Sequence, residues 1–182
     1  MNRQPGQSLV RLIAACLLSL LATGGAAFAD PIRFPQDSDV AFFIQLASGW
    51  QFQPGDPKNA NLAPADSSSN IALTILEDPD QAKLVKDDPQ TFARAQLDSV
   101  HAQPISGHDV GVFSGLRGDV FYSRMTNPSG TVVNLKVILL SVARRYVVMV
   151  VTIALTDLTD RQRRSLDAAL QGIVVGRPLG AD

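Results

Sequence analysis

The segment Tyr146–Leu155 reads YVVMVVTIAL, uncharged throughout and rich in valine. A β-strand turns successive side chains to opposite faces, so a strand that is apolar on both must be covered on both. The run is far shorter than the roughly 20 apolar residues a membrane-spanning helix requires. It predicts the central strand of a sheet held between two layers. Whatever else the chain does, it must supply both covers.

Flanking segments read as further strands. Val40, Phe42, Ile44 and Leu46 alternate with Ala41, Phe43 and Gln45, the period-2 pattern of a strand. Ser48-Gly49 is a turn signal, and Trp50 and Phe52 alternate with Gln51 and Gln53 as a short second strand. Residues 54–69 are rich in Pro, Asn, Asp, Ser and Ala and read as an exposed loop. Ile71, Leu73 and Ile75 mark a third strand ending at Glu77-Asp78-Pro79. Val110, Val112 and Phe113 form another. Leu116–Thr126 follows, with Val120 and Tyr122 on one face and Phe121 and Met125 on the other. Asn127-Pro128-Ser129-Gly130 fits a type I turn. Val133, Leu135, Val137 and Leu139 then share a face, and Arg144-Arg145 marks the reversal into the central strand.

Two helices are expected. Asp88 can cap the free amides of a helix whose first position is Pro89, where the missing N–H costs nothing. Phe92, Ala93, Leu97 and Val100 give it one apolar stripe, to about Ala102. A second helix is capped by Asp157 or Thr159 and stripes Leu166, Ala169, Leu170 and Ile173. Runs of strands joined by short turns, with few helices, argue for an α+β fold. The expected architecture is a mostly antiparallel sheet with helices on both faces.

The N-terminus carries an address. Arg3 and Arg11 precede an apolar run over 12–21, and Ala27-Phe28-Ala29 is a small-x-small site. That order is a secretory signal peptide. Residues 1–29 are read as cleaved, 30–38 as a flexible arm with Pro31 and Pro35, 39–176 as a single domain, and 177–182 as a frayed tail. The expected destination is the bacterial periplasm or exterior. A rival lipid anchor at Cys16 leaves only Leu12 to Ala15 between Arg11 and the cysteine, too short an apolar region. Cys16 is the only cysteine, so the cleaved chain has neither disulfide nor thiolate chemistry. The formal net charge of −1 becomes more acidic once Arg3 and Arg11 leave, which argues against a nucleic-acid partner. No later segment is long and apolar enough to span a membrane.

The arrangement resembles the PsbP/Mog1-like α-β-α sandwich family. The pieces that carry the resemblance are FFIQLASGW at 42–50, NIALTILE at 70–77, SGLRGDVF at 114–121, the hairpin VVNLKVILLSVARRYVVMVV at 132–151 and the terminal amphipathic helix. In such domains the first strand commonly leads into a Pro-x-Gly-Trp turn. Here Gly49-Trp50 fits and Ala47 stands where the proline would be. The resemblance implies the sandwich fold and an accessory or adaptor role without catalysis.

Candidate site residues are few. Asp98, His101, His108 and Asp109 are the one plausible metal cluster, since imidazole and carboxylate suit zinc or manganese. The competing reading is two exposed histidines near a loop. No Gly-x-Ser-x-Gly elbow accompanies the serines, and the catalytic checklist is not met, so no enzyme and no cofactor are expected. Arg117-Gly118-Asp119 spells an adhesion tripeptide, but Gly118 is read as serving a turn or bulge. Arg161, Arg163 and Arg164 form a basic patch early in the last helix, either a solvated face partly paired with Asp160 and Asp167 or a contact for an acidic partner or lipid head groups. Trp50 either fills the core edge or lines a ligand cleft with Phe52 and the 54–69 loop. The expected function is an exported accessory protein acting through contacts with another protein. The alternative is a small-molecule or metal-binding domain.

Overall fold

A computed structural model describes residues 30–127 and 129–176. The signal segment 1–29, Pro128 of the proposed turn and the tail 177–182 lie outside the described residues. Within the unit that begins at Pro31, the strands are β1 (Ile32–Phe34), β2 (Ala41–Ile44), β3 (Trp50–Pro54), β4 (Asn59–Pro64) and β5 (Ser69–Glu77). Helices α1 (Pro79–Asp87) and α2 (Pro89–Ser99) follow, then β6 (Gly107–Phe113), β7 (Leu116–Thr126), β8 (Val132–Val142) and β9 (Tyr146–Leu155). Helix α3 (Asp160–Gln171) and β10 (Ile173–Gly176) complete the described chain.

The strands form two antiparallel sheets. The larger runs β3-β4-β5-β9-β8-β7-β6, which puts the doubly apolar β9 in the middle. The smaller runs β1-β2-β10. One face of the large sheet buries Phe121, Leu135, Val137, Leu139 and Val147 under Ala82 and Val85 of α1 and Phe92, Ala93 and Leu97 of α2. The other buries Ile71, Leu73, Val148 and Val150 against Phe42, Ile44, Ile173 and Val175 of the small sheet and Leu166 and Ala169 of α3. This is the α-β-α sandwich expected from β9, with a second sheet inside one of the covers.

Five expectations change. The 54–69 segment is not a loop: β4 crosses it, pairing with β3 and β5, and Ala60 and Leu62 are buried. Its short side chains hid a strand because Ala, Asn and Pro carry weak β-propensity and the pairing is tertiary. The 30–38 lead supplies β1, whose Phe34 is buried opposite Phe42, rather than a flexible arm. Helix α1 was unforeseen, although Asp78-Pro79 repeats the cap grammar of Asp88-Pro89. Asp78 accepts from the amides of Asp80 and Gln81, and Asp88 closes α1 while accepting from Thr91 to open α2. Val100 is not on the buried stripe of α2; it is the exposed C-cap, followed by His101 at φ 55°. Ile173 is not helical either. The chain turns at Gly172, whose carbonyl accepts from Gln45 N at 2.8 Å, and Ile173 enters the small sheet opposite Ile44. A Cβ on Gly172 would sit 2.3 Å from the Gln45 oxygen, so only glycine permits this approach.

Capping and turns follow local chemistry elsewhere. Thr159 and Gln162 form a capping box at the start of α3. Asp66, after β4, accepts from Ser68 N at 3.0 Å, Ser68 Oγ at 2.7 Å and Gln162 Nε2 at 3.0 Å, joining the β4–β5 turn to α3. The hydrogen bond from Gln162, then those from Ser68, hold its carboxyl below the ordinary value. Asn127 accepts through its side chain from Ser129 N and Thr131 N, and Gly130 N donates to Asn127 O at 2.9 Å, closing the β7–β8 turn. The β8–β9 turn is less well suited to its residues. Ala143 and Arg144 take φ of 53° and 58°, a conformation that costs an ordinary residue about 1 kcal/mol and that glycine or asparagine adopts freely.

Gly118 lies inside β7, opposite Gly111, so Arg117-Gly118-Asp119 is strand and not a turn. A Cβ there would meet Leu140 Cδ2 at 2.2 Å and the Leu139 oxygen at 2.6 Å. Gly118→Ala is expected to lower stability by about 2 kcal/mol through overpacking, read as a lower urea midpoint with unchanged slope. Asp66→Asn tests the other link. Because the folded carboxyl is depressed, its contribution is present above about pH 4 and lost as pH falls through the folded value. Urea midpoints of the variant should therefore fall less steeply than those of the parent below that pH.

Candidate functional site

Strand β6 ends the large sheet. It is seven residues long, its outer backbone groups have no partner strand among the described residues, and two valines project from it into solvent. Val112 is 76 % exposed and Val110 52 %. Successive alternate residues share a face, so both lie on the side covered elsewhere by α1 and α2. The register places Val110 opposite Asp119 and Val112 opposite Arg117. Natural sheets usually blunt such an edge with lysine, proline or a bulge. Among the residues of β6, only His108 and Asp109 carry polar side chains.

The N-terminal half of this strand is rigid. The His108 ring stacks on Phe121 with centroids 4.5 Å apart and planes 8° from parallel. Its Nε2 lies 2.8 Å from Asp119 Oδ1. Asp109 turns to the other face, where burial first and the Asp109 carboxylate second push the Tyr122 hydroxyl upward from its ordinary pKa. The edge is thus a preorganised strand rather than a loose one.

The structure does not assemble the four proposed metal ligands. His101 follows α2 in the left-handed region, His108 is engaged by Asp119, and Asp109 faces away from His108 across the pleat. Asp98 contributes its backbone oxygen to the amide of His101. Among the described residues, no three His, Cys, Asp or Glu side chains converge as a metal-holding group.

Trp50 and Phe52 part company. Trp50 is 6 % exposed, belongs to the core, and donates through Nε1 to Ser165 Oγ of α3 at 2.9 Å. It ties the helix to the edge of the large sheet. Phe52 lies with Ile32, Phe34 and Ile75 at the floor of a cavity of about 610 Å³. Phe34 meets it edge-on at 5.8 Å. Arg33 borders the cavity and donates through its two terminal nitrogens to the carbonyls of Gln36 and Ser38, while its buried Nε has no hydrogen-bond partner among the described residues. Asp56 on the far wall accepts from Lys58 N and the Asn59 amide; the Asn59 bond chiefly lowers its pKa.

Arg161, Arg163 and Arg164 stand exposed on α3. Arg163 reaches the Leu158 carbonyl at 3.4 Å. The expected pairing of this patch with Asp160 and Asp167 does not form: the ion pairs among the described residues are Lys83–Asp87, His108–Asp119 and Arg145–Glu77. The valine edge was missed because alternation shows which residues share a face, not whether the strand has one neighbour or two.

No protein-family model matches the sequence, and no curated protein matches it. Several solved structures share the fold. A cyanobacterial PsbP (CyanoP) from Synechocystis aligns with a TM-score of 0.53 at 15 % identity, over 85 % of this chain and 98 % of that one. LpqN of Mycobacterium tuberculosis, described as involved in cell envelope biogenesis, aligns with a TM-score of 0.51 at 14 % identity, over 81 % and 90 %. A Bacteroides thetaiotaomicron protein gives 0.52 at 8 % identity, and this chain spans only 46 % of its length. At these identities the likeness is one of fold.

The Trp50–Ser165 bond yields a direct test. Trp50→Phe and Ser165→Ala should each cost about 1 kcal/mol. The double variant should cost less than the sum of the two, since one shared interaction is lost in each case. Urea unfolding of the four proteins measures the cycle.

Proposed function

We propose that the chain is an exported, non-enzymatic accessory protein that acts by holding another protein at the bacterial cell envelope. The observation that carries the reading is the open edge of β6, with Val110 and Val112 in solvent and a row of unpaired backbone groups beside them. An extended segment of a partner can add to such an edge, main-chain hydrogen bonds supplying affinity and alternate side chains supplying specificity. Two apolar side chains on one face of the edge select a segment with apolar residues at alternate positions. The basic patch of Arg161, Arg163 and Arg164 is a second contact, suited to acidic residues. The signal-like sequence at 1–29 supports export. The shared fold of LpqN, with its described part in envelope biogenesis, is compatible with that setting.

A second reading, small-molecule binding, rests on the Phe52 cavity, whose volume of about 610 Å³ is within the range of ligand sites. No three-ligand set among the described residues favours a metal.

A photo-crosslinking residue at Val112, introduced in the exporting bacterium, should give one discrete adduct that Val110→Lys abolishes. Loss of the fold is excluded by an unchanged melting temperature of Val110→Lys. An adduct of twice the chain mass would indicate self-association instead, and no adduct would remove the edge as a docking surface. Screening by saturation-transfer NMR tests the second reading; it ends if no small molecule shows a signal that Phe52→Asp removes.

A further inference from the structure

We propose that a groove between the end of α1 and the β8–β9 turn binds a phosphoryl group. The groove holds about 520 Å³ and brings together Lys86 of α1, Arg117 of β7 and Arg144 of the turn, with Asp119 in one wall and Val85 and Leu139 behind them. Three separate elements therefore aim cations at one space. None of the three cations joins an ion pair among the described residues. The carboxylate that lines the groove, Asp119, is engaged by His108 at 2.8 Å. Three exposed cations lining one groove raise the local potential for an anion.

The turn supplies an independent observation. Positions 143 and 144 take consecutive left-handed conformations, and turns of this kind favour Asn-Gly. Ala143 and Arg144 occupy them instead. A residue kept where the local backbone disfavours it points to a role for its side chain. The side chain in question lines the groove. Neighbouring Arg145 is accounted for differently, by Glu77 and by the Tyr146 ring at 5.5 Å.

The geometry also selects the class of anion. A carboxylate is planar and presents two oxygens. A phosphate monoester is tetrahedral, carries up to two charges, and offers three oxygens to the cationic residues that line the groove. Asp119 remains as an acceptor for a hydroxyl on the ligand's organic part. The same chemistry is met in soluble phosphate monoesters and in the monoester headgroup of phosphatidic acid. Arg117 and Asp119 stand opposite Val112 and Val110, so the groove adjoins the β6 edge, but Lys86 and Arg144 lie on other elements and Arg144→Gly tests the groove without altering that edge.

Calorimetric titration in phosphate-free buffer at low ionic strength, using inorganic phosphate, pyrophosphate and glycerol 3-phosphate, tests the site. Sedimentation with vesicles containing phosphatidic acid, against phosphatidylcholine vesicles, tests the headgroup source. Saturable binding in either arm is expected, weakened about tenfold by Arg117→Gln and by Arg144→Gly and unchanged by Arg94→Gln on α2. Arg144→Gly should at the same time raise the melting temperature, because glycine relieves the turn. That combination separates loss of the site from loss of the fold. Absence of binding in both arms overturns the proposal. So does binding that survives Arg117→Gln and Arg144→Gly, or that falls equally in Arg94→Gln.

Discussion

The two-sided burial of β9 is the constraint on which the rest of the structure depends. Its hydrogen bonds run to β5 on one side and β8 on the other. Its side chains enter both cores: Val147 lies under α1 and α2, and Val148 and Val150 lie under the small sheet and α3. Neither cover can be dispensed with, because each exposes a row of valines if removed. The helices after β5 and the helix after β9 therefore have to return to opposite faces.

The second cover is closed by the two ends of the described unit. β1 and β10 flank β2, so the small sheet exists only when residues 32–34 and 173–176 come together on 41–44. Gly172 makes the final turn possible by lacking a side chain where the Gln45 carbonyl approaches. Ser114 Oγ then donates to the Ile173 carbonyl at 2.9 Å, fastening this sheet to the β6–β7 turn. A short three-stranded sheet of this kind has little stability alone. It is held by the face of the large sheet beneath it, through Phe42, Ile44, Ile173 and Val175.

Both candidate surfaces lie where that packing stops. The covers centre on β9, and protection thins toward the ends of the sheet. β6 is the strand farthest from β9 on its side, and α1 and α2 leave Val110 and Val112 beyond their reach. The groove with Lys86, Arg117 and Arg144 opens at the strand ends, between the end of α1 and the β8–β9 turn. The well-covered centre provides stiffness, and the uncovered margin provides chemistry.

Much of the fold is legible in the chain because its signals are local. Alternation at Ile71, Leu73 and Ile75, the Asp88-Pro89 cap and the capping residue Thr159 each act within a few residues, and each marks the element found. The doubly apolar Tyr146–Leu155 likewise announces a central strand and two covers. What failed was non-local. β1 and β4 are weak strands by composition and exist because neighbours pair with them, while Ile173 left the helical stripe to meet Ile44. The site was harder still to read. Trp50 read as a core-edge residue with a cleft as the alternative, and only the tertiary structure placed Ser165 beside its indole; alternation could not distinguish an edge valine from an inner one. By itself, then, the sequence determined the strand and helix grammar and the need for two covers, since backbone sterics and hydrophobic periodicity act over short spans. The tertiary structure alone decided which strand became an edge and which cations met at one groove, because both depend on pairing and packing between residues far apart in the chain.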